Sequence, residues 1–257
     1  DRKHILTREK AYHGSTYLSA SVTGKERDKS AMDTMSENVH FLSAPCFYYH
    51  SQYETEASFC DFLIRELEEK IEEIGANNVM CFMAEPILAS GGVIVPPADY
   101  HVRCWETIKN HGITYIADEV VTGFRWDLGG AQKYYGVTPD LACFGKAMAN
   151  GLPISAIAGK KEYMNELNHV FFSMTFGGEC LSLAAAISTI KELKTKDYNH
   201  IWSLGNQFEK GMNDAAMRHN LSINFTGSGP RHNLTFSNEY DDPSGMKDLF
   251  YQEMVKR

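Results

Sequence analysis

Residues 113–151 read ITYIADEVVTGFRWDLGGAQKYYGVTPDLACFGKAMANG. An apolar run, Ile113 to Ala117, ends on the acid pair Asp118-Glu119. Gly123, Gly129, Gly130 and Pro139 punctuate the connection that follows. A second apolar run, Leu141 to Phe144, delivers Gly145-Lys146. Upstream, Val79 to Met83 reads as a buried strand ending on Ala84-Glu85-Pro86. Pro96-Pro97 then opens a helix through Tyr100, Trp105, Ile108 and His111, with Gly112 as its stop. Strand, helix and strand in succession predict a parallel sheet with right-handed crossovers. The carboxyl ends of such strands form the edge where ligands bind, and Asp118 and Lys146 both fall there.

One enzyme chemistry needs this pair. A lysine amine forms a Schiff base with pyridoxal phosphate, while a carboxylate keeps the pyridine nitrogen protonated so that the ring takes up electrons. The plainer reading makes Asp118 a helix cap and Lys146 a solvated loop charge, and spacing alone leaves both open. The wording of the segment goes further. DEVVTGFR (118–125), GGAQKYYGVTPDL (129–141) and FGKAMANGLPISAIAG (144–159) resemble the class III aminotransferases of fold type I, most of all the glutamate-semialdehyde aminomutase-like branch.

That resemblance implies an α/β fold. Its large domain is a three-layer, aspartate-aminotransferase-like PLP-transferase domain with a mainly parallel sheet, over residues 1–198. Residues 199–257 would begin a small α+β C-terminal domain. The activity implied is transfer of an amino group between a small-molecule amino donor and a carbonyl acceptor, with pyridoxal 5'-phosphate as cofactor. Lys146 and Asp118 would be catalytic. Tyr12 and His13, in Tyr12-His13-Gly14, match a family signature whose tyrosine ring packs on the pyridoxal face. The competing reading is a polar turn before a helix. Glu85, in Glu85-Pro86-Ile87, is expected near the cofactor, and Val120 against the ring opposite Tyr12. Thr175, in a Gly-flanked turn, would reach the phosphate of a neighbouring subunit, which implies a homodimer with a shared active site; Thr175 as an ordinary cap is the alternative. Ornithine- and GABA-type members carry Gln and Glu where this chain has Leu88 and Ser90, which speaks against those types. Two further functions stay in view: an intramolecular aminomutase, and a non-catalytic remnant of the fold.

Away from these motifs the chain reads more simply. Residues 31–55 show no clear period and suggest a surface loop; the aromatic string Phe47 to His50 either lines a pocket or packs that loop down. From Glu56 to Gly75, Phe59, Phe62, Leu63, Leu67, Ile71 and Ile74 recur at helical spacing, with glutamates on the other face. Ile154 to Ala158 suggests a strand, and residues 179–196 an Ala-rich helix. Beyond Ile201 come a helix with Trp202, Leu204, Phe208 and Met212 on one face, two β-like stretches (223–225 and 234–236), and a last helix over 244–256. Gly24-Lys25 is no P-loop, because position 19 is Ser.

Composition bounds the partners. A formal charge of −8 argues against nucleic acid or an anionic membrane, and no window has the uninterrupted apolar length of a spanning helix. Cys46, Cys60, Cys81, Cys104, Cys143 and Cys180 are dispersed, without zinc-ligand spacing, so no metal is expected and reduced thiols in a cytoplasmic protein are. Family chains are longer, with a phosphate-holding loop upstream of Tyr12 and more of the small domain after residue 257. The expectation is therefore a fragment.

Overall fold

A computed structural model gives the fold and describes residues 2–35, 37–50, 52–237 and 239–257. In chain order the elements are β1 (His4–Arg8), α1 (Tyr17–Ser21), α2 (Glu26–Lys29), β2 (Val39–Leu42), α3 (Glu56–Ile74), β3 (Val79–Ala84), α4 (Tyr100–Asn110), β4 (Thr114–Asp118), α5 (Gly130–Tyr134), β5 (Leu141–Phe144), β6 (Ala156–Gly159), α6 (Lys161–Asn165) and α7 (Cys180–Leu193). After them come α8 (Tyr198–Arg218), β7 (Ile223–Ser228), β8 (Arg231–Phe236) and α9 (Pro243–Val255). The chain divides into two compact units, one ending at Lys196 and one running from Asp197.

The first unit is built on one sheet in the order β2-β1-β3-β4-β5-β6. Its first five strands are parallel and β6 runs antiparallel to β5. Strand β3 lies inside the sheet and reads as a continuous apolar run, Val79 to Ala84, while β1 mixes apolar Ile5 and Leu6 with buried Thr7 and Arg8. Successive residues point to opposite faces. Leu6 and Phe82 meet α3 and α4 through Phe59, Leu67, Tyr100 and Ile108, while Ile5 and Cys81 pack with Val22 and Val39.

Helix α3 forms where its apolar spacing predicts. The Ser58 amide donates to Thr55 Oγ1 over 3.1 Å, and Gly75 at φ 83° ends the helix. Phe59, Leu63, Leu67 and Ile71 are all buried.

Three expectations change. Residues 31–55 are not all loop, because Val39–Leu42 is an edge strand paired with β1. Four residues with a histidine among them give too short an alternation to stand out. The prolines at 96 and 97 precede the helix rather than entering its first turn: Asp99 is the N-cap, and the Tyr100 amide donates to the Pro97 carbonyl over 3.0 Å. Met80 is 39% exposed on an otherwise buried strand. Of the aromatic string, Phe47 and His50 pack the loop onto α3, with the His50 and Phe59 rings 4.6 Å apart, while Tyr48 is exposed; the side chain of Tyr49 lies outside the described residues.

The second unit packs α8 on a two-stranded antiparallel hairpin. Phe208 and Phe225 meet edge-on at 5.0 Å, and Phe236 approaches Phe250 of α9 at 6.1 Å. No helix among the described residues is long and apolar enough to cross a membrane.

Candidate functional site

Four neighbouring parallel strands end at one edge of the sheet, and each delivers an anticipated residue there. Beyond β1 lie Tyr12 and His13, beyond β3 lies Glu85, β4 ends on Asp118, and β5 leads into Gly145-Lys146. Asp118 pairs in register with Cys143, so Lys146 follows three residues past the point opposite the carboxylate.

Asp118 is 6% exposed. Its Oδ2 lies 2.8 Å from His13 Nδ1, and its Oδ1 accepts the Val120 amide over 3.0 Å. An ionised carboxylate only accepts, so His13 Nδ1 carries the proton. The other ring nitrogen of His13 is 3.3 Å from Thr7 Oγ1, and the His13 amide donates to Thr23 Oγ1 over 3.0 Å. The imidazole is thereby fixed at both ends, with its side chain fully shielded from solvent.

Glu85 is buried and accepts the Tyr12 amide over 2.9 Å and the Ala89 amide over 3.1 Å. Burial pushes its carboxyl above the ordinary range, against the lowering effect of His13 and the two amides. The Tyr12 hydroxyl lies 3.0 Å from Ser15 Oγ, and the Lys25 ammonium stands 5.7 Å from the centre of the Tyr12 ring. Gly24 serves this turn and not a phosphate loop. A Cβ there would come within 2.2 Å of the Arg8 carbonyl.

Asp118 and Glu119 part ways, as neighbouring positions at a strand end do. Glu119 turns inward, fully buried, and accepts from the amides of Ala131 (3.0 Å) and Gln132 (2.6 Å) and from the Thr122 hydroxyl. It caps α5 and clasps the connection between β4 and β5. Gly130, at φ 81°, leaves room for it, since a Cβ would fall 2.8 Å from the carboxylate. Burial pushes the Glu119 carboxyl up, and its three donors offset part of that.

Lys146 is exposed and sits at φ 36°, in the left-handed region that a non-glycine residue seldom adopts. Strain of this kind concentrates at functional positions. None of the described residues bonds or pairs with its ammonium. Val120, Cys143 and Phe144 of the same edge line a cavity of about 670 Å³ whose other walls include Ile157, Phe172 and Met174. Burial, with Asp118 alongside, raises the Cys143 thiol to about 11, so it stays protonated at neutral pH. Thr175 is exposed in the turn before α7, between cavity-lining Met174 and Gly177. The fold thus bonds Tyr12, His13, Glu85, Asp118 and Val120 into one network. Lys146 is tied to it through strand register, and Thr175 is not bonded to it.

A family model described as aminotransferase class-III matches residues 1–241. The chain belongs to the class III aminotransferases. Relatives of this class III chain include a probable gamma-aminobutyrate transaminase 4 of Oryza sativa subsp. japonica, 29% identical over 100% of this chain and 56% of that protein. A vanillin aminotransferase of Capsicum frutescens is 31% identical over 98% and 56%. A glutamate-1-semialdehyde 2,1-aminomutase of Methanococcus maripaludis is 36% identical over 60% of this chain and 36% of its own. Among solved structures, a PLP-bound amine transaminase from an uncultivated Pseudomonas species superposes with a TM-score of 0.85 at 29% identity, over 92% of this chain and 56% of that one. The aminotransferase chain spans about half the length of the curated relatives it matches.

Two features of this aminotransferase edge carry no sequence signal of their own. Thr7 and Thr23 hold His13, yet in sequence they look like ordinary β-branched residues. His101 is the other. It is fully buried on α4, and its Nε2 donates to the Pro86 carbonyl over 2.7 Å, steadying the turn that follows Glu85. Burial first, and then the charge of Arg8, lower its imidazole to about 3, against a raising contribution from the Pro86 bond. The unfolded chain takes up that proton near 6.5. Between these values the unfolded state binds more protons, so His101 makes stability fall as pH drops below 6.5. His101→Gln keeps a donor for Pro86 and removes this proton uptake. Acid titrations followed by circular dichroism should show a lower unfolding midpoint relative to the variant's own neutral-pH stability. An unchanged acid profile would contradict it.

Proposed function

We propose that the protein moves amino groups between an amino donor and a carbonyl acceptor, using pyridoxal phosphate held by Tyr12, Asp118, Val120 and Lys146 in a site that His13 and Glu85 brace. The observation that carries this reading is the Asp118 carboxylate, held by His13 and the Val120 amide at a strand end one strand over from the unpaired, strained Lys146. The residues present fit the cofactor. A carboxylate has about four acceptor positions, so Asp118 keeps capacity for a protonated ring nitrogen after its two contacts here. Val120 faces a cavity with room for a flat ring.

When bound, pyridoxal phosphate supplies an electron sink for the carbon that bears the amino group. Asp118 would hold the proton on the ring nitrogen. His13 keeps the Asp118 carboxylate turned toward it, and so acts through Asp118 without touching the ring. Tyr12 and Val120 would orient the ring. Lys146 Nζ would hold the aldehyde end, and as a free amine it would take up and return one proton as base and acid. Thr175 would contact the phosphate in a partner subunit. In this reading residues 1–198 are the cofactor-binding large domain, and residues 199–257 begin the small domain.

One observation supports a homodimer. The turn around Thr175 exposes Phe171 (97%), Phe176 (80%), Phe172 and Met174. An apolar patch of this kind marks an interaction surface. Light scattering should return twice the chain mass, and a monomer at all concentrations would refute the shared site. We place the protein in the cytoplasm on its free thiols, which subcellular fractionation tests.

The function is tested by adding pyridoxal phosphate and an amine donor with a keto acid acceptor. The expected result is a shifted cofactor absorption and a new amino acid that forms only when the acceptor is present. Binding without transfer to any acceptor would refute transamination, and isomerisation without an acceptor would indicate an aminomutase.

A further inference from the structure

We propose that Arg8 is the positioning residue for the Tyr12-His13 pair; this rests on the reading of that pair as part of the cofactor site. Arg8 is the last residue of β1, and its side chain is fully buried. Nη2 donates to the Glu85 backbone carbonyl, and the guanidinium carbon lies 5.6 Å from the centre of the Tyr100 ring. Nε and Nη1 have no hydrogen-bond partner, and no carboxylate pairs with the charge among the described residues. Burying a guanidinium this way is costly, and apolar residues of similar volume commonly replace buried charges at no loss of stability. Packing alone therefore does not account for an arginine here.

What the guanidinium does, and an apolar side chain does not, is grip residue 85 by its carbonyl. The same residue is gripped through its carboxylate by the Tyr12 amide over 2.9 Å. Arg8 and Tyr12 stand four residues apart, so the two bonds and the intervening chain close a ring between the ends of β1 and β3. That ring fixes the height at which Tyr12 leaves the sheet edge, and with it His13, whose imidazole meets Asp118 at 2.8 Å. The turn is also held by Gly24, whose amide donates to Ala11 over 2.9 Å and whose carbonyl accepts from Lys10 over 3.1 Å. Those bonds set the middle of the turn. Arg8 and Glu85 set where it ends.

The test compares Arg8→Met and Arg8→Lys with the unaltered protein in two ways. The first is amide hydrogen exchange at Tyr12 without cofactor, and the second is affinity for pyridoxal phosphate. Arg8→Met should keep or raise the melting temperature, while Tyr12 exchange quickens about tenfold and the cofactor binds about tenfold more weakly, the weight of one hydrogen bond to a charged group. Arg8→Lys, which retains a donor, should recover part of both. Wild-type exchange together with wild-type affinity in Arg8→Met overturns the proposal. Should Arg8→Met fail to fold, Arg8→Gln replaces it, and failure of both to fold makes Arg8 a requirement of the fold and equally overturns it. If the unaltered protein binds no pyridoxal phosphate, the functional reading fails, whereas the exchange result still decides the role of Arg8.

Discussion

Lys146→Ala is expected to lose amino transfer by about 10⁴-fold or more, the weight of a nucleophile and a proton carrier removed together. The side chain is exposed and bonded to none of the described residues, so the melting temperature should hardly move. Lys146→Arg makes the sharper control. It keeps a positive charge in place, but a guanidinium does not give up its proton in the accessible pH range and offers no nucleophilic amine. Both variants should therefore be equally inactive. Turnover of Lys146→Arg within about tenfold of wild type, only about 1.4 kcal/mol, would mean that the charge and not the amine matters, and the same turnover in Lys146→Ala would mean that neither does.

Asp118→Asn is the second large effect. The side chain is nearly isosteric, and its oxygen still accepts from His13 Nδ1 or from the Val120 amide, so the network of 2.8 and 3.0 Å contacts keeps most of its geometry. What disappears is the negative charge that, in the proposed function, would hold a proton on the ring nitrogen. Loss of one preorganised electrostatic contact costs about 10²–10³ in kcat, and that loss should fall on kcat with little change in KM. A fall in KM-dependent binding with kcat intact would instead assign Asp118 to substrate recognition.

The strand ends were legible because each apolar run of the sheet stops on a chemically distinctive residue: Glu85 after β3, Asp118 on β4, Lys146 after β5. Apolar pattern and turn residues together fix which edge these share. Helix α3 was legible for the same reason of period, its buried positions recurring at helical spacing. Strand β2 was not, because Val39–Leu42, four residues with one histidine, is too short to show an alternation. Nor were Arg8, Thr7, Thr23 and His101. Their meaning lies in partners that the sequence keeps far away, such as Arg8 with Glu85, 77 positions apart, and the His13–Asp118 bond, which spans 105. The divergence of Asp118 and Glu119 follows from strand alternation. Its consequence, a buried clasp on α5, needed the fold.

The account stands on Lys146 as the amine that takes the cofactor. Pyridoxal phosphate is added to the protein, the complex is reduced with borohydride, and the tagged peptide is found by mass spectrometry. The tag is expected on the peptide bearing Lys146 and nowhere else in stoichiometric amount. A tag on Lys10 or Lys25, both beside the Tyr12 turn, or no tag at all, would contradict it.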